Sequence, residues 1–368
     1  MEEELRVKDL EVARKGGNHI SAIMNKLFLE KAIVKEIRKG WNIMILIERA
    51  GDLPNLVLNP MGVVTHLGIT EDGTFEEKDR VTHDLSFLGA VSRESENSRV
   101  DETQLEPCMF SHVLLRITHY IVNLRRRYPY RRIWLRKKDF KSAFRRLHLN
   151  AILALRSATV VEIKKIQYII ISLRIPFGGS PCPSVFYALS DLITDLINDL
   201  LEDPKWDQNK KISPKIKDIP DTIILDDKIP FTQAREMSVI LPGEDNGKSD
   251  VYIDDIISCA IDKDNNLERI KKAPITVIEA VSHKSEGDCN NIIRDDLIAE
   301  EKTKAEGAPS EKKICLGWEI NTRELLVCLP DHKCKAWTSH ILDALSKRTV
   351  SNGTLMSIIG RLENVAQV

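Results

Sequence analysis

Two adjacent aspartates, Asp254 and Asp255, sit between two apolar runs in "SDVYIDDIISCAID". No other feature constrains the fold as much. Side chains on a regular strand alternate between faces, so neighbouring acids can serve one site only where the chain turns. The pattern predicts a β-hairpin with both carboxylates at its tip. A third carboxylate ending a neighbouring strand would complete a divalent-ion site, because Mg²⁺ takes a few carboxylates together with substrate phosphate oxygens. Asp139 is the candidate, since "IWLRKKD" reads as a short buried strand from Ile133 into that residue. An Asp-Asp pair is also an ordinary turn signal, and "DTIILDD" at 221–227 reads as a plain turn. The order of the segments sets the hairpin apart: Asp139, then a Gly-rich loop and helix at 176–186, then the paired acids.

The rest of the chain supplies a mixed set of elements. Residues 1–60 read as helical and then irregular, with Gly40 as a stop. Residues 61–100 alternate short apolar runs with turns, and Glu71-Asp72-Gly73 suits a hairpin turn. Met109, Val113, Ile117, Ile121 and Leu124 predict a helix over 103–128, ended by Pro129. "ATVVEI" and "IQYIIISLRI" read as two strands with Lys164 and Lys165 between them. Pro183 suits the first turn of a helix over about 183–202. Residues 284–313 are charged and poor in aromatics, as expected of a mobile insertion. "ICLGWEINTRELLVCLP" reads as a second hairpin, and the tail from Lys333 as helical.

Composition narrows the class. The chain has 368 residues, 42% of them hydrophobic, which argues against disorder and for two or three subdomains. No apolar run reaches the ~18 residues of a membrane span, so no membrane partner is expected. The start "MEEELRVKDL" has no apolar core, so no secretory leader is expected. Seven cysteines without a Cys-x-x-Cys pair read as reduced thiols. An intracellular place, cytoplasm or nucleus, is the expectation. The 54 basic and 55 acidic residues nearly cancel, yet Arg125–Arg146 holds eleven Lys or Arg and one acid. Such a stretch can bind phosphate even in a neutral chain, and Lys137, Lys138, Lys141, Arg145 and Arg146 surround Asp139.

"KDFKSAFRRLHL", "IPFGGSPCPSVF", "VYIDDII" and "CLGWEI" resemble the successive polymerase motifs of reverse transcriptases. They are most similar to the polymerase region of retrotransposons of microbial eukaryotes. The resemblance runs from about Trp41 to Trp337, and "RVTHDLSF" and "NSRV" resemble the fingers of that family. It implies an α+β fold of the right-hand polymerase kind: palm and fingers, an antiparallel palm sheet backed by helices, and a truncated thumb. On that plan residues 1–60 are an N-terminal extension. Residues 61–100 and 151–178 are fingers, 101–150 and 179–320 palm, and 321–368 the start of a thumb or connection.

The resemblance also implies roles. Asp139, Asp254 and Asp255 would be catalytic and would hold two Mg²⁺ ions, or Mn²⁺. Arg80, Phe144 and Gly178 would bind the nucleotide, with Arg80 on the triphosphate, Phe144 as a gate against a 2′-hydroxyl, and Gly178 allowing close backbone approach. Leu316, Gly317 and Trp318 would grip the primer, and Lys312 or Lys313 would protonate pyrophosphate. The implied partners are an RNA template, a DNA or RNA primer and deoxynucleoside triphosphates. Two other readings stay open: an inactive element fragment that binds RNA or a protein, and an RNA-dependent RNA polymerase. No oligomeric state follows from the sequence.

Overall fold

The computed structural model describes residues 3–69, 75–105, 107–210, 213–235, 245–282, 297–298 and 300–366. Its helices are α1 (Glu3–Gly16), α2 (Ile20–Met24), α3 (Lys26–Arg38), α4 (Val113–Arg127), α5 (Ala151–Arg156), α6 (Cys182–Glu202), α7 (Asn266–Val281), α8 (Glu300–Glu306), α9 (Asp331–Ser346) and α10 (Asn352–Ala366). Its strands are β1 (Asn42–Leu46), β2 (Met61–Ile69), β3 (Phe75–His83), β4 (Ile133–Asp139), β5 (Thr159–Ile163), β6 (Ile166–Ser172), β7 (Lys248–Tyr252), β8 (Asp255–Ile261), β9 (Lys312–Cys315), β10 (Trp318–Asn321) and β11 (Leu326–Cys328).

An antiparallel sheet in the order β4-β8-β7 forms the centre. The run "DIISCAI" in β8 is apolar almost throughout because both faces of the sheet are covered. On one face Ile256 and Ala260, with Trp134 and Val251, pack on Phe186, Ile193 and Ile197 of α6 and Ile270 and Ile278 of α7. On the other, Ile257, Cys259 and Ile261, with Ile133 and Leu135, pack on Val113, Ile117, Ile121 and Leu124 of α4 and on Cys315 and Ile320. A second antiparallel sheet runs β1-β6-β5, β2 and β3 form a hairpin, and β9-β10-β11 form a meander. Lys164 and Lys165 make the β5–β6 turn with φ of 50° and 67°, the left-handed pair that fits the twist of a two-residue hairpin loop. The Glu71-Asp72-Gly73 turn lies outside the described residues. No helix among the described residues is long and apolar enough to cross a membrane.

The structure differs from the sequence reading in four places. β1, within the stretch read as an extension, pairs with β6 from Asn42↔Ser172 to Leu46↔Tyr168. The N-terminal segment therefore completes a sheet that includes residues 159–172. The helix expected from 103 begins as an α-helix at Val113, after the short 3-10 turn Phe110–His112. The second hairpin is a three-stranded meander whose first turn is Leu316-Gly317.

The fourth difference is the stretch read as a mobile insertion. Residues 283–296 and 299 lie outside the described residues, but the remainder packs along β4. Ile298 bridges to Phe140 and Ser310 to Leu135. Lys141 N–H donates to Leu297 O at 2.8 Å, and Leu135 N–H to Ser310 O at 2.8 Å. β4 is an edge strand, and this segment satisfies backbone groups that would otherwise stay unpaired.

Candidate active site

Strand register brings two of the predicted acids together. Asp139 ends β4 and lies opposite Asp255, the first residue of β8. Opposed residues in an antiparallel pair project from the same face, here the face that carries α4 and the meander. Tyr252 pairs with Asp255, so Ile253 and Asp254 form the two-residue turn. Ile253 has φ of 54°. A β-branched residue in that region is a backbone outlier, and strain of this kind concentrates at functional sites. Asp250 of β7 accepts two hydrogen bonds from Arg116 of α4, at 2.6 and 2.8 Å. Tyr252 meets Phe110 edge-on at 5.1 Å. These contacts fix the hairpin against α4, and nothing in the local sequence signals them.

The same alternation sorts the basic residues of "LRKKD". Lys137 shares the face of Asp139, with its Nζ 3.3 Å from Asp255 Oδ1 and 3.7 Å from Asp139 Oδ1. Arg136 and Lys138 point to the other side, where Arg136 donates to Ile270 O and Gly307 O and Lys138 to Thr303 Oγ1. Both are buried. Arg145 is buried too and pairs with Glu36 of α3 at 2.6 Å. Arg146 donates to Lys141 O at 2.8 Å. Much of the basic stretch is thus engaged within the fold, contrary to the surface phosphate-binding reading. Lys302 of α8, from the supposed insertion, ion-pairs with Asp139; the sequence offered no sign of that contact.

The three acids influence one another. Burial works against ionisation of Asp139, but the hydrogen bond with Asp255 and the Lys137 and Lys302 ammonium groups hold its carboxyl below the ordinary range. Burial, then the hydrogen bond with Asp139, pushes Asp255 up. Burial and the Asp139 charge push Asp254 up as well. Two carboxylates this close do not ionise together without a cation. Asp139 Oδ1 is buried and, among the described residues, receives no hydrogen bond from an N–H or hydroxyl. The ammonium groups of Lys137 and Lys302 stand in as cations here, so the pair fits a divalent ion. Among the described residues, no three His, Cys, Asp or Glu side chains are gathered closely enough to hold a metal by themselves.

Asp254 and Asp255 open into a cleft of about 1020 Å³. Leu316, Gly317 and Trp318 line it, as do Lys137, Lys312 and Lys313. Leu316 and Gly317 both have positive φ, 51° and 84°, and Lys333 Nζ donates to Gly317 O at 3.1 Å. Lys312 pairs with Glu319 at 2.8 Å and Lys313 donates to Ala308 O at 2.8 Å.

The three predicted nucleotide-binding residues lie outside this lining. Arg80 is exposed on the β2–β3 hairpin, opposite Val64. Phe144 is half-buried, edge-on to Phe177 at 5.3 Å and Phe186 at 5.6 Å. At Gly178, with φ of 117°, a Cβ would sit 1.9 Å from His83 O. The fold's own packing therefore demands glycine there. Asn97 clamps this loop, donating to Gly178 O and accepting from Ser180 N–H, both at 2.9 Å.

No family model and no curated protein matches the chain. Among solved structures it is similar to the foamy viral protease-reverse transcriptase dRH in complex with double-stranded DNA. The TM-score is 0.43 and the identity 15%, over 90% of this chain and 38% of that one. It is also similar to the foamy viral protease-reverse transcriptase in complex with an RNA/DNA hybrid, with TM-score 0.43 and identity 16%, over 94% of this chain and 31% of that one. The chain spans well under half the length of either.

Proposed function

We propose that this chain is an RNA-directed DNA polymerase, the reverse transcriptase of a retrotransposon, adding deoxynucleotides to a primer 3′-hydroxyl. One observation carries the reading. Asp139 and Asp255 lie opposite each other where β4 ends and β8 begins, with Asp254 at the adjoining turn, and Asp254 and Asp255 line a cleft that also includes the Leu316-Gly317 turn. Asp139 and Asp255, with Asp254 at the turn, would hold Mg²⁺ or Mn²⁺, two ions in the working site. Such ions lower the pKa of an attacking hydroxyl and neutralise charge at a transferring phosphoryl group.

The chain's own residues do the positioning. Lys137 holds the Asp139 and Asp255 carboxylates on one face. Leu316, Gly317 and Trp318 would seat the primer end against the acids, and Lys312 and Lys313 would meet backbone phosphates, a salt-dependent contribution. Arg80 offers a planar guanidinium for bidentate contact with a triphosphate.

Primer extension on an RNA template with Mg²⁺ or Mn²⁺ tests the proposal. Extension is expected, and Asp139→Asn or Asp254→Asn should lower it about a thousandfold, equivalent to ~4 kcal/mol of transition-state stabilisation. Full activity in Asp254→Asn removes the site assignment; no extension by the unmodified protein, beside an active control, removes the function. The second reading, an RNA-dependent RNA polymerase, differs in the sugar it accepts, and Phe144, edge-on to Phe177 and Phe186, is the residue on which that difference would turn. Comparing deoxynucleotide with ribonucleotide incorporation, in the unmodified protein and in Phe144→Ala, separates the two.

A further inference from the structure

Lys302 reaches Asp139 from outside the sheet. Its helix, α8, is anchored from below: Thr303 is buried and accepts from Lys138, Gly307 O accepts from Arg136, and Lys304 pairs with Asp218 at 3.1 Å. Ile298 and Ser310 tie the flanking segments to β4. The backbone at residue 302 is therefore fixed beside Asp139, whereas the Lys302 side chain is 59% exposed. Its partner is the opposite case, since the Asp139 side chain is 3% exposed. A long, flexible, water-facing stem carries the charge, so the ammonium group can swing away without disturbing α8.

We propose that Lys302 is a tethered competitor for the divalent cation. Its ammonium group pairs with Asp139 and must leave before a metal can bind there. This rests on the metal-site reading of Asp139 and Asp255 above. A fixed backbone holds the competing charge at a high effective concentration, which weakens the apparent affinity for any free cation at the same carboxylate. The device also keeps a buried acid paired until metal arrives, sparing the fold an uncompensated charge. Lys137 differs, because it lies on the strand itself between the two acids and is 17% exposed.

Mn²⁺ binding to the full chain, without nucleic acid or nucleotide, tests this by electron paramagnetic resonance of the free ion and by calorimetry. Lys302→Gln should bind Mn²⁺ about tenfold more tightly than the unmodified protein. Lys302→Arg, which keeps the charge, should stay close to the unmodified protein. Asp139→Asn with Lys302→Gln should show no gain over Asp139→Asn alone. Equal affinities for Lys302→Gln and the unmodified protein, with weaker binding in Asp139→Asn, overturn the competitor and leave the metal site standing. Binding that Asp139→Asn leaves unchanged overturns the metal-site reading, and the competitor with it.

Discussion

Two tight turns face the same cleft and are built differently. The β7–β8 turn is Ile253-Asp254, closed by Tyr252 and Asp255; the β9–β10 turn is Leu316-Gly317, closed by Cys315 and Trp318. Both begin with a bulky residue at positive φ, 54° and 51°. They part at the second position. Gly317 also has positive φ, and its carbonyl meets Lys333, so a residue without Cβ fits best. At Asp254 the turn carries an acid, and Ile253 alone carries the strain. Asp254 is outside the left-handed region, so the turn geometry does not call for glycine there.

The bracing differs in the same sense. The meander is locked by Arg323 and Glu311, both fully buried, with Nη2 2.5 Å from Oε2. The hairpin with the paired acids is locked by apolar packing on both faces, and its Arg116–Asp250 pair is partly exposed. Glu311→Ala should therefore destabilise the protein by about 3 kcal/mol, because it takes the buried Arg323 guanidinium from its two-oxygen carboxylate partner and leaves it the Asp226 and Ile229 carbonyls and a longer Asp227 contact. Asp250→Ala should cost only about 0–1 kcal/mol. Urea unfolding of the two variants measures the difference, and equal losses would break the comparison.

Glycine substitutions sharpen it next. A Cβ at Gly178 meets backbone, His83 O at 1.9 Å, whereas one at Gly317 meets the flexible tip of Lys333 at 2.8 Å. Gly178→Ala should cost at least ~3 kcal/mol and Gly317→Ala nearer ~1 kcal/mol, the usual left-handed penalty. If thermal melts ranked them the other way, close backbone approach would not be what requires Gly178.

The same junction predicts a pH dependence. Burial, aided by the Arg145 charge, pulls the His83 imidazole down to about 3, and neither ring nitrogen has a hydrogen-bond partner among the described residues. Unfolded histidine titrates near ~6.5, so between these values the unfolded chain binds the extra proton. Stability should fall as pH drops below about 6.5, by up to ~1.4 kcal/mol per pH unit, and His83 should contribute no slope above it. Urea midpoints at pH 7, 6 and 5 check this, and His83→Leu should flatten the slope. An unchanged slope in that variant would assign the effect to other groups.

The smallest effect belongs to Ile253→Gly. Relief of the left-handed strain, ~1–2 kcal/mol, is offset by glycine's greater freedom in the unfolded chain and by lost side-chain packing. The net change in stability should stay within about 1 kcal/mol. A loss of several kcal/mol would mean that Ile253 contributes core packing that outweighs its strain.

Local pattern made several elements legible. Apolar runs around Lys164-Lys165 and around Asp254-Asp255 specify hairpins, because a two-residue break between alternating strands has few other solutions. "IWLRKKD" ends its strand at Asp139 as expected. Charge patterning misled, because a run of Lys and Arg does not say where each side chain goes. Arg136, Lys138 and Arg145 are buried, with partners contributed by residues 36, 270, 303 and 307. The stretch 284–313 misled for a related reason: polar composition predicts exposure, yet its described part supplies the backbone partners of an edge strand.

Sequence was sufficient to put two adjacent acids at a hairpin turn, since alternation and a turn are local rules that act over a few residues. It could not say that Asp139 lies opposite Asp255, that Lys137 stands between them, or that Lys302 arrives from a helix 163 residues away. Those facts depend on strand register and on which segment covers the free edge of β4. Both are set by contacts between distant parts of the chain, where packing, rather than local preference, selects one arrangement.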